Sequence, residues 1–173
     1  MSMEVRKYIT AMRKVIIFKF LTDQELRHIL SIADVINYKK EDKIVSEGEI
    51  SPYFFAVVKG NVHVSVRQSD GKEVFICSLA EGDIFGETGI FLKMKRTANV
   101  VSTENTTILR IHRKDMLDFI KQHPETGNKI LMMIIYSLMK KLRDSNQEIA
   151  FERKTDIDQG GIDSIVKDFM LEV

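Results

Sequence analysis

Gly82-Asp83-Ile84-Phe85-Gly86-Glu87-Thr88-Gly89-Ile90, closed after a short gap by Arg96-Thr97-Ala98, is the stretch on which the reading of this chain turns. It interrupts a strand-rich region and brings glycines, the Glu87 carboxylate and the Arg96 guanidinium close together in sequence. Glycine lets the backbone approach a ligand closely and adopt positive φ. A one-turn helix opening at Gly86-Glu87 aims free N–H groups at an anion. Arg96 offers a planar fork suited to a phosphodiester, and Glu87 can accept hydrogen bonds from a sugar hydroxyl. These groups suit a small nucleotide with one negative charge and one free ribose hydroxyl.

On either side of this break, from Val35 to Ile111, the pattern is one of short strands rich in Val, Ile and Phe. Tyr53 to Val58, Val62 to Val66 and Val74 to Leu79 are the clearest. Val62, Val64 and Val66 alternate with His63, Ser65 and Arg67, as in a half-buried strand. Lys59-Gly60-Asn61 and Ser69-Asp70-Gly71 supply turns between them. Many short strands with glycine turns predict a β-barrel or jelly roll. Ahead of it, residues 4 to 17 are loosely helical, with Val5, Tyr8, Ile9 and Met12 on one side. A firmer helix starts at Thr22, where Thr22 and Glu25 form a capping box and Leu21 and Leu26 stand at staple spacing.

Helical period returns after Arg113. A short helix is expected to about Gln122, interrupted by Pro124, then a long one to about Lys154, which at ~1.5 Å per residue measures roughly 45 Å. Leu131, Ile135, Leu138, Leu142, Ser145 and Ile149 follow a four-three spacing, the seam of a paired coil. The same stripe would serve equally to cover the barrel of its own subunit. The dimer reading is taken because Met132, Met133, Ile134 and Met139 provide a second apolar face for the barrel. Gln159-Gly160-Gly161 reads as a break, followed by a short amphipathic helix with Ile162, Ile165, Val166, Phe169 and Met170 on one face. The expected organisation is a helical segment over 1–34, the barrel over 35–112 with its cassette at 82–98, helices over 113–155, and a linker and tail over 156–173.

The 173 residues, 44% hydrophobic and 29% charged, describe an ordinary globular chain large enough for its own core. A net charge of +1 gives no general basic field for nucleic acid or anionic membrane. Cys77 is the only cysteine, which excludes an internal disulfide framework and fits a reducing compartment. The apolar run from Ile130 to Met139 is too short for a bilayer, and no signal peptide is visible, so a cytoplasmic protein is expected. His28, His63, His112 and His123 are scattered and do not suggest a metal site. No arrangement of catalytic residues is apparent, and the chain is not expected to be an enzyme.

The order FGETGIFLKMKRTANVV, with Glu87 and Arg96 nine positions apart, resembles the phosphate-binding cassette of the cyclic nucleotide-binding domains. IFKFLTDQEL, YKKEDKIVSEGE, YFFAVVKGNVHV and LRIHRKDMLDFIKQHPE extend the resemblance over residues 15 to 150. It implies a mainly β jelly roll with N-terminal helices and a long C-terminal helix, binding cyclic AMP or cyclic GMP as ligand, with no cofactor. It implies that Arg96 holds the cyclic phosphate and Glu87 the ribose 2′-hydroxyl, with Phe85, Gly86, Thr88, Gly89, Thr97 and Ala98 completing the cradle through their N–H groups or by lining it. Ser145 and Asn146 resemble the polar pair that reaches the base from the long helix of dimeric bacterial cyclic AMP receptors.

The partners implied are a cyclic nucleotide, a second copy of the chain through the long helix and an unidentified protein effector, with no DNA and no membrane. Two other readings stand beside this one: a fragment of a catabolite activator-type transcription regulator without its DNA-binding domain, and a non-binding module of the same fold. Lys95 stands where the family often has proline, Thr88-Gly89 replaces an aliphatic-Ala turn, and Glu41 occupies a common glycine position. Gly89 is expected to loosen the empty cassette.

Overall fold

Tyr53–Lys59 is apolar at nearly every position, and in the computed structural model it forms β3, a strand buried on both faces. The structure describes residues 3–92 and 94–171, with the backbone alone described at 4, 90 and 152–171. Alternate β3 side chains enter two cores, as the pleat requires. Phe54, Ala56 and Val58 pack toward the helices, while Phe55 and Val57 pack between the sheets.

β3 lies inside a four-stranded antiparallel sheet of order β1-β8-β3-β6, made of Ala33–Tyr38, Thr106–His112, Tyr53–Lys59 and Ile84–Phe85. A second sheet has the order β2-β7-β4-β5, from Lys43–Val45, Asn99–Ser102, Val62–Arg67 and Glu73–Leu79. Strands distant in sequence are neighbours in both sheets, as in a jelly roll. Val45, Phe55, Val57, Val62, Phe85, Val100 and Ile108 fill the space between the sheets. The three strands expected most firmly are present as β3, β4 and β5.

The other face of the first sheet is covered by helices. α1 (Met3–Met12) contributes Ile9 and Met12, α2 (Asp23–Ser31) Leu26 and Ile29, and α4 (Arg113–Gln122) Met116 and Phe119. α5 (Pro124–Leu171) adds Ile130 and Ile134 to the same core. The chain divides into two compact units, Met1–Ile134 and Ile135–Val173, and this shared core lies in the first of them.

Two expectations for α5 are corrected. Met132 and Met139 are exposed, so of that apolar group only Ile134 and, in part, Met133 join the core. The expected break at Gln159-Gly160-Gly161 is absent, and α5 continues to Leu171. Each glycine inside a helix costs only about 1 kcal/mol relative to alanine, which neighbouring turns can absorb. The apolar face expected over Ile162, Ile165, Val166, Phe169 and Met170 lies outside the described side chains. In the C-terminal unit Ile135, Leu138, Leu142 and Ile149 of the seam are all exposed.

The capping box forms as expected. The Thr22 hydroxyl accepts from the Glu25 N–H at 3.2 Å, and the Glu25 carboxylate accepts from the Thr22 N–H at 2.6 Å. Glu25 does more than cap: its other oxygen accepts from the Thr126 hydroxyl at 2.7 Å and the Lys129 ammonium at 2.8 Å, tying α2 to the start of α5. One strained position stands in the turn after β1, where Glu41 has φ of 73° and donates its N–H to the Ser102 carbonyl at 2.8 Å.

Burial acts to raise the Glu25 pKa, but the bonds from Lys129, the Thr22 backbone and Thr126 outweigh it and hold the value at about 2, down from 4.5. A carboxyl depressed in this way stabilises the fold above its unfolded value and loses that contribution as the pH falls. Glu25→Gln keeps a capping amide but not the charge. It is expected to lower stability by about 1 kcal/mol at neutral pH, and its difference from the wild type in urea unfolding should shrink as the pH drops from 4.5 toward about 2.

Candidate functional site

The cassette folds where β6 ends and the chain can no longer continue the sheet. Gly86 has φ of 77°, a left-handed value that turns the backbone out of the strand. Glu87 then caps α3, the four-residue helix Thr88–Phe91. The extended segment beyond returns along the second sheet as β7. Its Arg96 is clamped through the backbone, with the Arg96 N–H donating to the Glu49 carbonyl at 2.8 Å and the Gly48 N–H donating to the Arg96 carbonyl at 2.8 Å. Both ends of the cassette are therefore anchored to strands or to the β2–β3 loop.

This arrangement turns the Arg96 side chain inward, leaving the residue only 8% exposed. Its Nη1 donates to the Gly86 carbonyl at 3.3 Å, and Nη2 donates to the Ser51 hydroxyl at 3.3 Å and to the Tyr53 carbonyl. The guanidinium also faces the Phe55 ring, 5.5 Å from its centroid, and Phe55 stacks on Phe85. Nε is buried without a hydrogen-bond partner. Burial draws the Arg96 pKa below its ordinary value, against the opposing charges of Glu49 and Glu87. Arginine nonetheless remains charged in proteins, so the site holds a cation stripped of water whose hydrogen bonds go to neutral oxygens. Burying such a charge is costly, and the Glu49 and Glu87 carboxylates offset only part of that cost.

The glycines have a role that sequence reading did not show. A Cβ on Gly86 would stand 2.8 Å from Arg96 Nη1 and 3.1 Å from the Tyr53 carbonyl oxygen. On Gly89 it would stand 2.9 Å from Nη1 and 3.3 Å from Cζ. Gly89 was expected to loosen the empty cassette; in the structure it makes room for the guanidinium. Its N–H was expected to be open to a ligand but donates to the Gly86 carbonyl at 3.0 Å.

Phe85, Gly86, Glu87, Thr88, Gly89, Arg96, Thr97 and Ala98 all line one cavity of about 150 Å³. Glu87 is buried, whereas Thr88 and Thr97 are exposed at the rim. Val45, Val64 and Val100 supply an apolar wall. Ser145 and Asn146 belong to the C-terminal unit, where both are exposed on α5. Lys95 is exposed, and Lys93 lies outside the described residues. Ser51, Tyr53 and Phe55 were missed as part of the site; the apolar run YFF gave a strand but no sign that its carbonyl would hold Arg96. Among the described residues, no three metal-ligating side chains gather, and no helix is long and apolar enough to cross a membrane.

The site is thus a helix-capped cassette with a buried arginine, set in a jelly roll. The family described as Cyclic nucleotide-binding domain matches residues 35–123, and the chain belongs to that family. The cAMP-activated global transcriptional regulator CRP of Pasteurella multocida is 28% identical over 129 residues, covering 74% of this chain and 60% of that protein. The cGMP-dependent protein kinase, isozyme 2 forms cD5/T2, of Drosophila melanogaster is 33% identical over 126 residues, covering 71% of this chain but 14% of the kinase. The chain thus spans less than two thirds of the length of these relatives.

Among solved structures, a cyclic nucleotide-binding domain from Methylobacillus flagellatus superposes with a TM-score of 0.74 at 21% identity, over 84% of this chain and 82% of that one. The Thermus thermophilus catabolite activator protein gives 0.68 at 24% identity, over 78% and 62%. These two likenesses establish the jelly-roll fold.

Gly86→Ala is expected to destabilise the protein by about 2 kcal/mol, through left-handed strain and displacement of Arg96. Thermal unfolding measures this; an unchanged Tm would show that the guanidinium yields without loss.

Proposed function

We propose that this chain is a cyclic nucleotide receptor, taking cyclic AMP or cyclic GMP into the cassette cavity. The observation that carries the reading is the desolvated Arg96 guanidinium with its unpartnered Nε, set beside buried Glu87. The ligand phosphate would sit against Arg96 and the N–H groups of Gly86, Thr88, Thr97 and Ala98. Glu87 would accept from the ribose 2′-hydroxyl. Each charge-assisted bond of this kind contributes about 1.5–3 kcal/mol net, so two or three suffice for micromolar affinity. A non-binding scaffold of the same fold has no reason to keep a buried, half-compensated cation.

Phosphate binding would draw Arg96 donors away from the Gly86 and Tyr53 carbonyls. Those carbonyls belong to the start of the cassette turn and to β3, so occupancy would be felt where α3 is anchored. The reading places the response in the long helix, with Ser145 and Asn146 meeting the base and the seam around Leu138 pairing two copies. A ligand that shares residues with a pairing helix shifts the population of helix arrangements by its differential affinity for them. The role is regulatory and involves no catalysis. A second reading, the sensor portion of a transcription regulator, is favoured by the 60% coverage of the CRP relative.

Calorimetric titration with both cyclic nucleotides tests the site. Arg96→Ala is expected to weaken binding at least about tenfold, the loss of one charge-assisted bond. Absence of heat for both ligands in the wild type, at millimolar concentration, would leave the scaffold reading. For pairing, Leu138→Asp should sediment as a monomer where the wild type is a dimer; a wild type that is monomeric with ligand bound would end the dimer proposal.

A further inference from the structure

Away from the cassette, the N-terminal unit contains a roomier cavity of about 740 Å³, which shares no lining residue with the cassette cavity. α1 forms one side of it. Lys7 and Ala11 follow an i, i+4 spacing on it, beside the Val5, Ile9 and Met12 stripe that packs into the core, and Lys14 stands in the turn that follows. The opposite side is the end of the first sheet, where Asn37 of β1, Thr107 of β8 and Lys59 of β3 stand in one cross-strand row. Lys39 follows β1 directly and also lines the cavity.

Four lysines (Lys7, Lys14, Lys39 and Lys59) therefore line a space with one acidic residue in its lining, Glu81, for a local balance of 4 − 1 = +3. The whole chain carries only +1, so this is a concentration of charge and not a general basic surface. Glu81 is held by Lys14 at 2.6 Å. Among the described residues, Lys7, Lys39 and Lys59 enter no ion pair. The neighbouring Asp42 carboxylate is turned onto the Lys39 backbone N–H at 2.7 Å and does not line the cavity.

The remaining lining adds donors and an apolar floor. The Thr107 hydroxyl donates to Asn37 Oδ1 at 2.8 Å, which leaves the Asn37 amide N–H groups for a ligand. Tyr8 and Val58 offer a ring and an aliphatic surface. The volume lies within the range of small-molecule sites, about 300–1,000 Å³, and a concave pocket favours a compact ligand over a protein face.

We propose that this cavity is a second binding site, for an organic polyphosphate whose phosphates meet Lys7, Lys39 and Lys59 and whose organic body rests on Tyr8 and Val58. The proposal does not depend on the cassette being occupied or functional.

ATP is the probe, with adenosine as its uncharged counterpart, each titrated calorimetrically into the full chain. The wild type should bind ATP with one-to-one stoichiometry and give no heat with adenosine. The double variant Lys39→Glu/Lys59→Glu should lose at least about tenfold in ATP affinity, the loss of one or more charge-assisted contacts. Both lysines are exposed, so the fold should persist; Lys7→Glu on α1 is the independent second variant and should also weaken ATP. Arg96→Ala should leave ATP binding unchanged, which separates this site from the cassette whether or not cyclic nucleotides bind there. ATP binding that disappears in Arg96→Ala, or that survives both lysine variants, would overturn the proposal. Equal displacement of ATP by a polyglutamate peptide would overturn it too, since the lysines would then be a general acidic-partner surface.

Discussion

The structure is arranged around one charge that has been taken out of water. Burying a guanidinium requires acceptors fixed before it arrives, and here they come from separate parts of the chain: a carbonyl of β3, a hydroxyl of the β2–β3 loop and a carbonyl of the cassette turn. The two glycines beside it are dictated by the same burial, because any side chain at either would occupy the guanidinium's volume. The backbone clamp at Gly48 and Glu49 follows as well, since an arginine on a loose segment could not be held inside. A buried cation only partly offset by the charges of Glu49 and Glu87 detracts from stability, and proteins commonly accept that at sites where function needs the charge.

The first sheet connects this site to the rest of the unit. β3 presents Phe55 to the guanidinium and Phe54 to the helices, so successive residues of one strand contact the cassette and the helical core. Through that core α1, α2, α4 and the beginning of α5 pack as a single layer on the sheet. Packed cores shift between discrete arrangements more readily than they deform continuously.

Features written in a few adjacent residues were legible in the sequence. The Thr22–Glu25 capping box, the alternation of β4, the β3 run and the glycine break at the cassette all formed, because each depends on local spacing. What escaped were consequences of tertiary contact. Nothing in YFF shows that the Tyr53 carbonyl meets Arg96, and nothing in Thr88-Gly89 shows that the glycine clears space for a guanidinium. The link from Glu25 to Thr126 and Lys129 joins residues about a hundred positions apart. In α5, composition pointed to Met132 and Met139 as core residues, but the helical phase set by Ile130 and Ile134 left them outside. The glycine pair near position 160 read as a break because propensity counts residues singly, whereas a helix already running on both sides can carry them.

Glu41 has a consequence of another kind. A residue with a Cβ pays in conformational energy for φ of 73°, and the neighbouring hydrogen bond to Ser102 is made by the backbone, which any amino acid could supply. The turn therefore holds a reserve of robustness that a single exchange to glycine would release. A lineage carrying it could tolerate mildly damaging changes elsewhere before its folded population fell, leaving the ligand pocket freer to vary.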